Sequence, residues 1–148
     1  VPFNDPKLQI KAEKIHNILT RAMNYVGVLV IEFFVDNNNE LIANEMAPRV
    51  HNSGHWTISG ASVSQFENHI LAVCNLPIED IKVLNYSAMF NFISKMPNIN
   101  DLREIGLDDI YDYGKSERLN RKLGHITILS KDKASLMNKI KKIKKIAN

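Results

Sequence analysis

The sequence predicts an α+β fold in which an antiparallel sheet with flanking helices is followed by a small β-rich C-terminal domain. A short apolar run rich in β-branched and aromatic residues, the turn-forming DNNNE and then the run LIANEM predict a β-hairpin. Apolar residues recur at three- and four-residue steps near both ends of the chain, which predicts helices there. A chain of 148 residues can form one domain or a domain with a small appendage. We expect a boundary near 77–82, which divides 1–78 from 79–148.

The first predicted helix covers residues 6–24. Asp5 offers a side-chain cap for the helix start, and Pro6 suits the first helical position, where its missing N–H has no helical partner to lose. Apolar residues then recur on one face, namely Leu8, Ala12, Ile15, Leu19 and Ala22. This spacing predicts an amphipathic helix.

The second predicted helix covers residues 64–75. Ser64 with Glu67 three positions later forms a capping box, in which each residue can satisfy a backbone N–H of the first turn. Phe66, Ile70 and Val73 then fall on one face. The hairpin of VGVLVIEFFV (26–35) and LIANEM therefore precedes a helix in the predicted order.

Predicted strands and a closing helix follow. IKVLNYSAMFNFIS (81–94) and KLGHITILS (122–130) predict strands, and KDKASLMNKIKKIKKIAN (131–148) predicts a helix. The lysines of that helix leave an apolar stripe of Leu136, Ile140, Ile143 and Ala147. We interpret it as a solvated basic face over an apolar seam rather than a phosphate or membrane site.

Composition excludes several classes of protein. Lys and Arg number 19 against 16 Asp and Glu, and much of the excess lies in the terminal KIKKIKKIAN, so the rest is near neutral and no nucleic-acid surface is predicted. The single Cys74 excludes an internal disulfide framework and favours a reducing compartment, the cytoplasm. No apolar run approaches the ~20 residues of a membrane span. The N-terminus has no initiator Met and no signal-peptide pattern, and we expect a piece of a longer polypeptide.

Two carboxylates in the hairpin predict a cation site. If Asp36 pairs with Leu41, Glu32 lies opposite Glu45 with their Cβ atoms about 5 Å apart. Two like charges at that distance either raise one pKa or require a cation between them. Mg²⁺ suits this pair, because it takes one or two carboxylates and completes its shell with water and nucleotide phosphates. The alternative is that Glu32 points to solvent on an edge strand and Glu45 merely ends the next one.

NEMAPRVHNSGHW (44–56) follows directly and concentrates ionisable groups. Arg49 carries a rigid donor fork suited to phosphate or carboxylate, and His51 can exchange a proton near neutral pH. The next residues supply small hydrogen-bonding groups and a backbone that can approach an anion: Asn52, Ser53 and Gly54. We expect His55 and Trp56 to pack and to fix this loop.

These residues carry a resemblance to a known family. Residues 25–78 closely resemble the last part of the ATP-grasp domain of the 5-(carboxyamino)imidazole ribonucleotide synthases. YGKSERLNRKLGHITIL (113–129) resembles the C-terminal segment of the same family. That family typically reads RPGRK where this chain has RLNRK, so Leu119 and Asn120 replace a turn-forming Pro-Gly and leave the geometry of the turn open.

The resemblance implies an ATP-dependent carboxylase of purine biosynthesis. ATP phosphorylates bicarbonate to carboxyphosphate, which carboxylates the exocyclic amine of aminoimidazole ribonucleotide. The implied requirements are ATP, Mg²⁺ or Mn²⁺, and the N-terminal part of the same polypeptide, which carries the nucleotide-binding lysines. A homodimer is expected of the full-length protein, with no nucleic acid or membrane partner. The chain alone is expected to be inactive.

Each site residue is assigned by its match to the family's motifs. The implied metal ligands are Glu32 and Glu45, and the end of the nucleotide site is Asn44 with Glu45. Arg49 and His51 match positions that hold and decompose carboxyphosphate, beside the substrate loop of Asn52, Ser53 and Gly54. The candidates for gripping the ribonucleotide phosphate are Lys115, Arg118, Arg121 and Lys122. Four cations within this short stretch suit a dianion, and which of them bind it stays open.

Two alternatives are kept. The formate-dependent glycinamide ribonucleotide transformylases resemble the same region, but they read PRPHDTG where this chain has PRVHNSGHW, which favours the carboxylase. The chain could also be a non-catalytic binding module, since a fold does not fix a function. Retention of both carboxylates together with Arg49 and His51 argues against that module.

Overall fold

The computed structural model describes residues 5–104, 106–107 and 109–146. The described chain forms two compact units that are discontinuous in sequence. The hairpin unit comprises residues 5–54 and 63–81, and the C-terminal unit comprises 55–62 and the chain from 82 onward. Contacts thus assign the short segment 55–62 to the C-terminal unit. The division between residues 78 and 79 stays a prediction.

Helix α1 of the hairpin unit spans Pro6–Ala22. The Asp5 carboxylate accepts hydrogen bonds from the backbone N–H groups of Lys7 and Leu8, each at 3.1 Å, and Pro6 opens the helix. These contacts confirm the predicted start, because the side chain satisfies donors that the first turn leaves unpaired.

Strands β1 (Val30–Val35) and β2 (Leu41–Ala47) pair antiparallel and confirm the predicted hairpin. The predicted pairing of Asp36 with Leu41 is wrong, because Val35 is the residue opposite Leu41. The Asp36 carboxylate turns back to accept the N–H groups of Asn38 at 2.9 Å and Glu40 at 2.7 Å. Asp36 therefore belongs to the turn, and the loop is one residue longer than predicted.

Helix α3 spans Gln65–Val73 and confirms the predicted cap, since Ser64 Oγ accepts the Glu67 N–H at 3.1 Å. Its burial differs from the amphipathic pattern. The apolar face of Phe66, Ile70 and Val73 is exposed, whereas Gln65 and Asn68 are buried. In this chain Gln65 and Asn68 are therefore the most buried residues of α3.

The C-terminal unit is built on a three-stranded antiparallel sheet in the order β3-β5-β4. Strand β3 (Tyr86–Ile93) and the central β5 (Lys122–Ser130) confirm both predicted strands, although β3 begins five residues after the predicted start. Three short elements were not predicted: α2 (Thr57–Gly60), α4 (Ile99–Glu104) and β4 (Ile110–Asp112). They are too short to show a periodicity of their own.

The two faces of this sheet differ in chemistry. One face is apolar and carries the core, with α4 and helix α5 (Lys133–Ile146) packed on it. The core residues are Phe92, Leu102, Leu107, Ile126, Ile128, Leu136 and Ile143. The other face carries His125 and Thr127, which are buried, and the α2 segment lies against it.

Helix α5 confirms the predicted apolar stripe over the described residues. Leu136 and Ile143 are buried in the core, and Ile140 packs against it. Ala147 lies outside the described residues. Within those residues, every helix is too short or too polar to cross a membrane.

The RLNRK turn has a left-handed residue at the position where the family it resembles typically has glycine. Asn120 has a φ of 61°, and the Arg121 N–H donates to the Arg118 carbonyl at 3.1 Å. Among residues with a side chain, Asn adopts this conformation more readily than most. The loss of Pro-Gly therefore leaves the turn tight.

Replacing Asn120 tests this backbone constraint. Asn120→Ala should lower the free energy of unfolding by about 1 kcal/mol, because a β-carbon without a local polar group is disfavoured at positive φ. Asn120→Gly should be neutral or stabilising. Urea denaturation measures both, with Asn37→Ala at an exposed turn position of negative φ as the control. Equal stability of the Ala and Gly variants would contradict the interpretation.

Candidate active site

A β-bulge brings two carboxylates together in the hairpin unit. Glu32 is paired with Glu45, whereas the next residue Phe33 is paired with Ala43, so Asn44 is the extra residue on β2. The bulge offsets the longer loop, and the predicted opposition of Glu32 and Glu45 is confirmed. Asn44 Nδ2 lies 3.4 Å from Glu32 Oε2 and donates to it. A bulge of this kind commonly re-aims side chains beside a functional site.

His51 contacts both carboxylates. Its Nε2 lies 3.0 Å from Glu45 Oε1, and its Nδ1 lies 3.5 Å from Glu32 Oε1. The Ser53 N–H donates to Nδ1 at 3.3 Å, and Ser53 Oγ lies 2.8 Å from the same atom. An acceptor at Nδ1 assigns the imidazole proton to Nε2, which donates to Glu45. Nδ1 and Glu32 are then two acceptors in contact, an arrangement that a proton or a cation between them would stabilise.

Gln65 fixes the backbone of His51 and was missed by the sequence interpretation. Its Oε1 accepts the His51 N–H at 2.9 Å, and its Nε2 donates to the His51 carbonyl at 2.8 Å. Gln65 is 7% exposed. Nothing in the sequence marks the first residue of a helix as a partner of a residue 14 positions earlier.

Gly54 makes room for Gln65. A β-carbon built on Gly54 would lie 2.5 Å from Gln65 Oε1. The structure thus accounts for this glycine by packing within the unit, and a role in approaching a ligand stays a prediction. Asn52, Ser53 and Gly54 form one 3₁₀ turn, in which the Gly54 N–H donates to the His51 carbonyl at 3.0 Å.

Arg49 is exposed on the segment that joins β2 to His51. Its guanidinium donates to the carbonyl of the adjacent Val50 at 2.8 Å. This contact leaves most of the five guanidinium N–H groups directed elsewhere. Arg49 is therefore accessible to solvent and lies two positions before His51 in the sequence. Its proposed contact with a substrate stays a prediction.

The four predicted phosphate ligands lie in the C-terminal unit. Three are exposed, namely Lys115, Arg118 and Lys122, and Arg121 is half-buried. Arg121 donates to Ser116 Oγ at 3.1 Å, and Lys115 Nζ lies 5.1 Å from the centre of the Tyr113 ring. The structure therefore holds Arg121 and Lys115 in place more firmly than a freely solvated cation.

A buried polar cluster lies next to the start of the basic segment, which we define as residues 115–122. The His125 ring stacks on Tyr111 with centroids 4.5 Å apart, and its Nδ1 lies 2.8 Å from Tyr113 Oη. Burial, followed by the nearby His55, lowers the pKa of His125 to about 4. His125 is therefore neutral at pH 7. The predicted packing role of His55 agrees with its ring lying 5.1 Å from that of His125.

The donor set of the hairpin unit suits a hard divalent cation. Glu32 and Glu45 offer carboxylate oxygens from opposed positions, the ligands that Mg²⁺ prefers. No group of three or more His, Cys, Asp or Glu side chains within the described residues is arranged to hold a metal ion. A site of two carboxylates is completed by water and substrate phosphates.

The chain is similar to characterised proteins over nearly all of its length. An ATP-grasp domain model matches residues 2–66, and a model of the phosphoribosylaminoimidazole carboxylase C-terminal domain matches 87–139. The N5-carboxyaminoimidazole ribonucleotide synthase of Pseudomonas aeruginosa is 43% identical over 136 residues, which are 92% of this chain and 38% of that protein. The chain thus spans well under half the length of this relative.

Solved structures agree with this similarity. The N5-carboxyaminoimidazole ribonucleotide synthetase of Thermus thermophilus superposes with a TM-score of 0.91 at 42% identity, covering 99% of this chain and 40% of that one. The Aspergillus clavatus synthase, solved in complex with ADP and 5-aminoimidazole ribonucleotide, gives a TM-score of 0.83 at 27% identity, covering 97% of this chain and 41% of that one. Both similarities extend over the hairpin and C-terminal units.

Substitution of Gln65 tests whether the His51 backbone depends on it. Gln65→Leu keeps most of the buried volume but leaves the His51 N–H and carbonyl without this partner, so the free energy of unfolding should fall by about 1–3 kcal/mol. Gln9→Leu removes an exposed amide and should change it by less than about 0.5 kcal/mol. Urea denaturation compares the two variants. Equal effects would show that Gln65 does not act as a backbone clamp.

Proposed function

Because the chain belongs to the N5-carboxyaminoimidazole ribonucleotide synthase family, we propose that it supplies part of the active site of an ATP-dependent carboxylase. In the proposed reaction ATP phosphorylates bicarbonate, and the resulting carboxyphosphate carboxylates the exocyclic amine of aminoimidazole ribonucleotide. The products are N5-carboxyaminoimidazole ribonucleotide, ADP and phosphate. The chain spans only 38% of a curated relative, so the proposal concerns the protein that contains it.

The observation that carries this proposal is the contact of His51 with two opposed carboxylates. Glu32 and Glu45 are paired across the two strands beside the bulge, and His51 lies 3.0 Å from Glu45 and 3.5 Å from Glu32. Such a pair suits Mg²⁺ or Mn²⁺ bound to nucleotide phosphates. When bound, the cation supplies neutralisation of charge that develops on the transferred phosphoryl group.

The residues beside the carboxylates fix their orientation. The Asn44 amide donates to Glu32, which favours one carboxylate rotamer for metal and nucleotide binding. Hydrogen bonds restrain both the backbone and the side chain of His51. Its N–H donates to Gln65, and its ring nitrogens contact Ser53 and Glu45. A ring held in this way can move a proton at Nε2 without a change of backbone conformation.

Arg49 and His51 form the proposed carboxyphosphate site. Carboxyphosphate is a small polyanion, and a guanidinium fork matches its oxygens in geometry and charge. Arg49 is exposed and His51 is partly accessible, with 12% of its side-chain surface exposed. The loop of Asn52, Ser53 and Gly54 adds polar groups within the same turn.

The basic segment of the C-terminal unit is the proposed binding site for the ribonucleotide phosphate. Among the four cations, Lys115 and Arg121 have side chains that are restricted before a ligand binds, by contacts with Tyr113 and Ser116. A restricted side chain loses less conformational entropy on binding. Arg118 and Lys122 remain candidates as well.

The remaining features of the proposal concern the whole protein. We place it in the cytoplasm and expect a homodimer without nucleic-acid or membrane partners. The chain alone should show no ATP-dependent carboxylation, because the adenine pocket and phosphate-binding lysines implied by the family lie in the N-terminal part of its relatives.

A paired assay in the full-length protein separates the two basic sites. Arg49→Ala and His51→Ala should each lower kcat about 10²- to 10³-fold, since both groups act where charge moves. Neutralising Lys115 or Arg121 should instead raise KM for aminoimidazole ribonucleotide and leave bicarbonate-dependent ATP hydrolysis nearly intact. Both rates are measured with and without acceptor, across acceptor concentrations.

Lys142→Ala on the exposed face of α5 is the matched control for loss of a surface cation. It should leave both activities unchanged. Unaltered acceptor KM in all four single variants at positions 115, 118, 121 and 122 would show that the segment is a solvated surface. Unaltered kcat in the Arg49 and His51 variants would contradict the carboxyphosphate site.

A further inference from the structure

Contacts of Tyr113 restrain the chain directly before Lys115, the first cation of the basic segment. The Tyr113 N–H donates to the Leu123 carbonyl at 2.9 Å, and the Tyr113 hydroxyl lies 2.8 Å from His125 Nδ1. Lys115 Nζ lies over the face of the same ring, 5.1 Å from its centre. The orientation of Tyr113 therefore sets where the Lys115 ammonium can lie.

The far end of the segment is fixed separately, by residues that follow β3. Ser94 Oγ accepts the Asn120 N–H at 2.8 Å, and the Ser94 N–H donates to the Arg121 carbonyl at 2.8 Å. Glu117 accepts the N–H of Met96 at 3.0 Å. These contacts restrain the backbone around Arg121 and do not involve Tyr113. The side-chain bond at Tyr113 acts instead on the ring that lies under Lys115.

His125 is a rigid anchor for this bond. It is 2% exposed, and Tyr111 stacks on its ring with an interplanar angle of 9°. His125 Nε2 has no hydrogen-bond partner within the described residues. A buried polar ring with an unpaired nitrogen costs stability compared with an apolar residue of similar size. The bond to Tyr113 is the contact that an apolar residue could not replace.

We infer that His125 and Tyr113 are a positioning pair that holds Lys115 for the ribonucleotide phosphate and acts through this lysine. The inference rests on the proposed function of the basic segment. An ordered lysine loses less side-chain entropy on binding a phosphate than a mobile one, so the pair contributes to acceptor affinity. It should contribute little to phosphoryl transfer from ATP.

Tyr113→Phe in the full-length protein is the direct test. The phenylalanine keeps a ring beneath Lys115 and removes only the hydroxyl that bonds His125. We expect KM for aminoimidazole ribonucleotide to rise about three- to tenfold, the loss of one hydrogen bond, while acceptor-independent ATP hydrolysis stays within about twofold. Trypsin cleavage after Lys115 should also become faster, because the segment opens more often.

Two substitutions of His125 test the other side of the bond, one that removes it and one that should restore part of the acceptor affinity. His125→Leu should raise the acceptor KM as much as Tyr113→Phe does, and the double variant should be no worse than either single one. His125→Asn places an amide near the position of Nδ1 and should restore part of the affinity. Tyr111→Phe removes the hydroxyl of the ring stacked on the same histidine, which bonds Ser59 and Asp109 rather than His125, and is the matched control for loss of a neighbouring hydroxyl.

The outcomes separate this inference from the proposed function. If Lys115→Ala raises the acceptor KM and Tyr113→Phe does not, the segment binds phosphate and the positioning pair is wrong. If neither variant raises it, the phosphate site is wrong, and unchanged trypsin cleavage in Tyr113→Phe then overturns the positioning pair as well. Equal KM changes in Tyr111→Phe and Tyr113→Phe would indicate general loosening of the sheet face, which also contradicts the inference.

Discussion

The candidate active site depends on one constraint, the placement of two carboxylates directly opposite each other in a short hairpin. Glu32 and Glu45 are opposed only because Asn44 is bulged out of β2, which restores the register that a longer loop had shifted. Two acidic groups in this position repel each other, and hydrogen bonds from His51 Nε2 to Glu45 and from the Asn44 amide to Glu32 offset part of the repulsion. Gln65 and Gly54 then hold the backbone of His51, so the first turn of α3 supports the same pair.

In the C-terminal unit the two faces of the sheet differ in role. One face forms the core, and the other carries polar residues next to the segment that is proposed to bind phosphate. The apolar face builds the core with α4 and α5. The polar face buries His125, whose pKa is lowered to about 4 by burial and by His55, and this neutral ring anchors Tyr113. Polar groups that would weaken a core thus lie on the opposite face of the sheet, beside the exposed segment that we infer they orient.

Local patterns predicted the long elements, and contacts distant in sequence determined the rest. The Asp5 and Ser64 caps and the stripe of α5 are local signals, and the structure confirms them. The opposition of Glu32 and Glu45 was predicted from a wrong turn register that the bulge compensated, and sequence alone gives no sign of a bulge. The role of Gln65 and the polar face around His125 arise from tertiary packing, which periodicity does not report.

Binding of Mn²⁺ together with ADP tests the paired-carboxylate site most directly. Electron paramagnetic resonance titration of the full-length protein should show that Glu32→Gln and Glu45→Gln each weaken Mn²⁺ binding by at least about tenfold, since each removes one charged ligand. The control Glu40→Gln, at an exposed loop position paired with Lys11, should bind Mn²⁺ as the unmodified protein does. Unchanged Mn²⁺ affinity in both Glu32→Gln and Glu45→Gln would contradict a shared cation site.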